Sequence, residues 1–274
     1  MIRELSSLFR LRLAILNGVA AIGGAVFFPA PAGTVLVLAV FAAVVLLAAG
    51  GSALNQVLEH DLDRLMFRTR LRPIPRGFLT PATAAIIGLS VSAAGLVLLF
   101  AAAGTAPTLL GAAALAWYLA IYTPLKRRTP YALAAGAVCG ALPPLIGWCS
   151  AGGSMADYRI MLLAGLLYLW QIPHFWLFQR RHAADYRAAG FPLLAVATRS
   201  SALPPLFWLW LASLATATTL LPTFGLISRS GAILYLLFPL PLIAMSLFRS
   251  EKILFSYLNA FPLMITVVII AQKI

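Results

Sequence analysis

Acidic side chains are scarce in this chain: seven among 274 residues, against 20 lysines and arginines. Charged residues of both signs make up only 10%, while apolar residues reach 62% and the mean hydropathy is +0.96. That poverty of charge excludes a soluble globular protein and leaves a polytopic helical membrane protein. Cysteine is nearly absent as well. Cys139 and Cys149 share one apolar run, form neither a disulfide framework nor a metal-site spacing, and read as small core residues. No G-x-x-x-x-G-K run occurs, so a phosphate-binding nucleotide loop is excluded too.

What the chain has is length in its apolar runs. Nine are long enough to span a bilayer: 13–30, 34–54, 80–103, 106–124, 131–149, 160–178, 203–221, 231–248 and 253–271. No composition shift divides them, so residues 1–274 read as a single domain. The positive charge is distributed by topology. Seventeen of the 20 basic residues fall on one side of these runs, leaving Arg159, Arg229 and Lys273 for the other. This asymmetry predicts a cytoplasmic N-terminus and, with nine spans, a C-terminus outside. The formal charge of +13 then needs no nucleic acid; it serves orientation and attraction to anionic lipids or substrates. MIRELSSLFRLRLA with PAPAG at 29–33 superficially resembles a signal peptide, or a very short transit peptide, and is read as a retained first helix.

Three of the seven acids crowd into NQVLEHDLDRLMFRTRLRPIPRG, residues 55–77, followed by five arginines. Asn55, Glu59 and Asp63 are spaced i, i+4, i+8. If the preceding helix continues, they drift only about 40° per step and share one face. Carboxylates at a helix C-terminus are disfavoured unless a cation compensates. Hard divalent cations bind through one or two carboxylates plus substrate phosphates, and the arginines beyond could take the remaining phosphate oxygens. The pattern points to a Mg2+–diphosphate site at a membrane surface; the bland alternative is a solvated cap.

Two further stretches bear on that choice. YTPLKRRTP (122–130) brings Lys126, Arg127 and Arg128 to the same side, although the positive-inside rule alone explains such a loop. GALPPLIGW (140–148) carries a Pro-Pro pair expected to kink its span. In LWQIPHFWLFQRRHAADYRAAGFPLLAV (169–196), His174, Phe178, His182 and Asp185 follow one helical face, with Gln171 a turn earlier. Ionisable residues within spans are expensive and usually functional.

Together, NQVLEHDLDRLMFRTRLRPIPRG, YTPLKRRTPYALAAGAVCGALPPLIGW and WQIPHFWLFQRRHAADYRAAGFPLLAV resemble the signatures of the UbiA-type intramembrane prenyltransferases, and within them the protoheme IX farnesyltransferase (heme O synthase) family. LFRSEKILFSYL is similar to a weaker pattern of that family. The resemblance implies an all-α, nine-transmembrane-helix bundle with a central cavity, in the bacterial inner membrane. It implies farnesyl diphosphate and heme B as substrates, and a terminal-oxidase assembly or a heme A synthase as a partner. Mg2+ would bind at Asn55, Glu59 and Asp63 and at a second motif reduced to Asp185 with Tyr186. Arg68, Arg72, Lys126, Arg127 and Tyr122 would hold the diphosphate, and His174 and His182 would contact heme. Glu59 replaces the usual aspartate, and PLLAV replaces PMLPV. Prenylation of a quinone or other aromatic acceptor and a proton-coupled transporter are the alternatives. The single aspartate of the second motif argues against the quinone. The clustering of polar residues at one face argues against the transporter.

Overall fold

The computed structural model describes residues 2–194, 203–226, 237–248 and 250–271. Among them every regular element is a helix: α1 Ile2–Leu8, α2 Leu11–Phe27, α3 Thr34–Leu58, α4 His60–Asp63, α5 Pro81–Ala103, α6 Thr105–Ala116, α7 Thr123–Leu125, α8 Ala132–Ser150, α9 Tyr158–Arg181, α10 Ala183–Ala188, α11 Pro205–Thr223, α12 Pro239–Phe248 and α13 Glu251–Ala271. A π-helical turn, Trp117–Tyr122, joins α6 to α7.

Among the described residues seven helices are long and apolar enough to cross a membrane: α3, α5, the run Thr105–Leu125, α8, α9, α11 and α13. At 17 residues, α2 is shorter. The eighth expected span appears only as the ten residues of α12, and residues 231–236 lie outside the described residues, as do Arg199, Arg229, Arg249, Lys273 and the Ala195-Val196 end of PLLAV. In a membrane, a helix satisfies its own backbone, and its apolar exterior needs no cover. Accordingly Ile86, Leu89, Val97 and Phe100 on α5 stand exposed.

Local signals set the helix ends. Thr80 caps α5, its Oγ1 accepting from the Thr83 amide at 3.1 Å, with Pro81 at the first helical position as the Thr-Pro step predicts. Asp157 caps α9 by accepting from the Arg159 amide at 2.9 Å. The Pro143-Pro144 pair does not interrupt α8, which runs unbroken to Ser150.

Small residues let the helices approach closely. The most extensive contact is α3 on α5, where a Cβ on Gly50 would lie 2.2 Å from Ser92 Oγ. On α2 and α8 the contact is reciprocal. A Cβ on Gly24 would lie 1.9 Å from the Pro144 carbonyl oxygen, and one on Gly147 1.8 Å from that of Ala21. The main core lies among α8, α9, α11, α12 and α13 around Trp148, Phe207, Phe238 and Phe261. A second gathers Val40, Val44, Leu47 and Leu99 of α3 and α5. A third seats Leu8 of α1 against Ala53, Ile74 and Ala84, and Gln56 Nε2 locks it by donating to the carbonyls of Leu8 at 2.7 Å and Ser7 at 3.1 Å.

Candidate active site at one end of the bundle

The expected continuous helix through Asp63 does not form. α3 ends at Leu58, and Glu59 leaves helical geometry at φ −117°, ψ 12° before α4 begins. The polar face survives the break. Glu59 N still bonds the Asn55 carbonyl at 3.0 Å, and Asp63 N that of Glu59 at 2.8 Å. Asn55, Glu59 and Asp63 are 4%, 2% and 1% exposed, so this is no solvated cap.

Burial at that depth requires partners, and the basic residues supply them. Glu59 Oε2 accepts from Lys126 Nζ at 2.6 Å and from Asn55 Nδ2 at 2.9 Å. Asp63 Oδ2 accepts from Arg72 at 2.7 Å, and Thr69 Oγ1 donates to the Asp63 carbonyl at 2.9 Å. Thr123 Oγ1 donates to Asn55 Oδ1 at 2.9 Å and lies 2.8 Å from the Tyr118 carbonyl. The Thr123 amide also reaches back to Tyr118, the i−5 bond that makes the turn π-helical. That turn brings the α6–α7 end over the end of α3. Lys126 lies 5.6 Å from the Tyr122 ring centroid and 5.4 Å from that of Phe191, and Tyr122 stacks on Tyr118 at 5.9 Å. Burial pushes the Lys126 ammonium below its ordinary range, and the Glu59 carboxylate opposes that shift.

The remaining expected residues take other positions. Arg127 pairs with Asp61 at 3.0 Å and donates to the Leu58 carbonyl at 2.6 Å, joining the α7 loop to the end of α3 on the exposed side. Asp185 accepts from the backbone amides of Phe67 at 2.9 Å and Arg68 at 3.2 Å, so it clamps the arginine loop. Arg68 lies over the Phe178 ring at 5.2 Å, and Phe178 meets His182 at 4.7 Å. Burial, and next Arg68, hold the His182 imidazole below its ordinary value. His174 is held deeper, among rings: Trp170 at 5.0 Å, Phe175 at 5.7 Å and Phe255 at 5.7 Å. Trp176 lies in the core against Phe207 at 5.9 Å.

Sequence reasoning passed over Thr123, Thr69 and Phe191. Thr123 stands inside the quoted YTPLKRRTP, but a Thr-Pro step reads as a helix start, and nothing local marks the π turn that aims its hydroxyl at Asn55.

The donor set suits a hard cation. Glu59 Oε1 is buried with no hydrogen-bond partner, an oxygen donor left free beside a second carboxylate. Among the described residues no three His, Cys, Asp or Glu side chains converge to hold a metal by themselves. That accords with a cation bound by one or two carboxylates and completed by substrate phosphates.

An all-helical bundle with buried carboxylates and cations gathered at one end is the frame of an intramembrane prenyltransferase. The chain belongs to the UbiA prenyltransferase family, which its residues 13–257 match. It is 58% identical over 264 residues to the protoheme IX farnesyltransferase of Geobacter sulfurreducens, covering 96% of each chain. To that of Oleidesulfovibrio alaskensis it is 42% identical over 235 residues, 84% of this chain and 81% of the relative. Solved structures share the fold. A UbiA homolog from Aeropyrum pernix K1 in its apo form is 21% identical with a TM-score of 0.76, over 96% of this chain and 99% of that one. A UbiA homolog from Archaeoglobus fulgidus bound to GPP and Mg2+ is 14% identical with a TM-score of 0.65, over 98% and 99%.

Proposed function

We propose that the chain transfers a farnesyl group from farnesyl diphosphate to a vinyl group of protoheme IX, giving heme O. The observation that carries this is the 58% identity, over 96% of both chains, to a protoheme IX farnesyltransferase. The buried Asn55–Glu59–Lys126 and Asp63–Arg72 pairs supply the chemistry. Allylic C–O cleavage builds negative charge on the departing diphosphate, and preorganised cations stabilise that charge as it develops. Lys126, Arg72 and Arg68 exchange their present partners for phosphate oxygens, with Arg127 at the rim. Mg2+ held by Glu59 and Asp63, with Asn55 and Asp185 beside them, would neutralise the same oxygens. Tyr118 and Tyr122 face the farnesyl cation with their rings, and His182 and His174 line the way for heme.

In this reading the bundle has nine spans around a central cavity and lies in a bacterial inner membrane. Its N-terminus is cytoplasmic and its C-terminus outside, and it passes its product to a heme A synthase or a terminal-oxidase assembly. The test is incubation of purified protein with heme B, Mg2+ and labelled farnesyl diphosphate. Label is expected in a heme product; diphosphate release with label in no heme would refute the acceptor.

A further inference from the structure

Farnesyl transfer to a vinyl group leaves a charge to dispose of. The farnesyl C1–O bond breaks and its electron pair departs with diphosphate. The vinyl π electrons form the new bond to C1, and positive charge moves to the vinyl carbon beside the macrocycle. Water closes the reaction there: its oxygen bonds to carbon, one O–H bond breaks, and the proton needs a base.

The spanning helices hold one candidate. In the seven described spans, His174 alone among His, Asp, Glu, Lys and Arg lies more than a turn from a helix end. Its ring is clamped between Trp170, at 22° interplanar angle, and Phe255, at 6°. His174 Nδ1 is buried without a hydrogen-bond partner, and so is Oε1 of Gln171, three residues earlier on the same face of α9. Two buried polar atoms without partners, three residues apart on one helix face in an apolar interior, are costly unless something uses them.

Their depth is right for the reaction. On α8, a Cβ on Gly136 would touch the Tyr122 ring at 2.6 Å, and a Cβ on Gly140 would fall 1.7 Å from Gln171 Oε1. Gly140 lies one turn, about 6 Å, further along the helix than Gly136. Tyr122 lies beneath Lys126, so Gln171 sits about a turn further in than the Tyr122 ring, and His174, three residues nearer the charged end of α9, lies about 4.5 Å shallower than Gln171.

We infer that His174 is the catalytic base that takes the proton of the added water, and that Gln171 Oε1 orients that water. The inference rests on the farnesyl-transfer reading above. The proton leaves as imidazolium and returns to solvent, so heme B, farnesyl diphosphate and water give heme O, diphosphate and one proton. To test it, heme B, Mg2+ and labelled farnesyl diphosphate are supplied in heavy-oxygen water to wild type, His174→Phe and His174→Gln. Each protein is first confirmed as folded by size-exclusion chromatography. Wild type should give farnesylated heme carrying one heavy oxygen. Both variants should release diphosphate but form hydroxylated product about a hundredfold less per diphosphate, with farnesylated heme lighter by one water in its place. Wild-type hydroxylation ratios in either variant would overturn the base role. So would folded variants that release no diphosphate, since that would put His174 at ionisation. Wild type that never labels heme would instead remove the transfer reading itself.

Discussion

Replacing Lys126 by Met tests whether the Lys126–Glu59 pair is buried in the energetic sense. The substitution leaves Glu59, 2% exposed, with Asn55 Nδ2 on Oε2 and nothing on Oε1. Breaking a buried ion pair by removing one partner costs about 3–5 kcal/mol. The Lys126 side chain is 21% exposed, so some water reaches the pair and the lower end, about 3 kcal/mol, is expected. Glu59→Gln added to Lys126→Met removes the stranded charge, so the double variant should regain about 2 kcal/mol. Arg127–Asp61 is the internal control. Its side chains are 35% and 53% exposed, and Arg127→Gln should cost under about 1 kcal/mol. Detergent-titrated unfolding of the purified proteins in mixed micelles measures all four. Equal losses for Lys126→Met and Arg127→Gln, or no recovery in the double variant, would refute the claim that the Lys126–Glu59 pair is energetically buried.

Asp63→Asn should lower farnesyl transfer by about a hundredfold or more, the order seen when one charge-stabilising group is removed. Glu59→Asp should stay active; wild-type turnover in Asp63→Asn would remove Asp63 from the site. Gly147→Ala forces a methyl to within 1.8 Å of the Ala21 carbonyl oxygen, so α2 and α8 must separate and stability should fall by about 2–3 kcal/mol, read as a lowered Tm. Asp157 at the start of α9 is pulled down to about 2 by hydrogen bonds from Arg159. A depressed carboxylate contributes stability that is fully present above its unfolded value, about 4, and lost as pH falls towards about 2. Wild type should therefore lose more Tm than Asp157→Asn across that window, and parallel melting curves would sink the assignment.

The two polar stretches at 55–77 and 122–130 were legible because apolar surroundings leave few places to put charge. That contrast also marked Asn55, Glu59 and Asp63 as a candidate cation site, while Lys126 entered as a diphosphate holder through the family resemblance and its pairing with Glu59 was not foreseen. Geometry beyond one helix was not legible. A spacing of four and eight fits a continuing helix, yet α3 ends at Leu58, and Arg72 and Thr69, nine and six residues beyond Asp63, hold that residue. Asp185 shows the same limit. Its spacing from His182 set it on a helical face, but the amides that it accepts lie more than a hundred residues earlier. Gln56 lies inside the 55–77 stretch without any role read for it, and it anchors α1 through the Ser7 and Leu8 carbonyls, because carbonyls at a helix end have no sequence mark.

The π turn at Trp117–Tyr122 makes the site a matter of phase. A π turn houses one residue more than an α turn, and each residue rotates the rest of the helix by about 100°. Deleting Leu119, Ala120 or Ile121 would let the helix relax to α geometry while leaving Tyr118 and Tyr122 in the chain. Thr123 and Lys126 would then swing about a quarter-turn away from Asn55 and Glu59, stranding a carboxylate without touching a single residue of the site. Indels in this short segment are therefore expected to silence the protein as completely as loss of its acids.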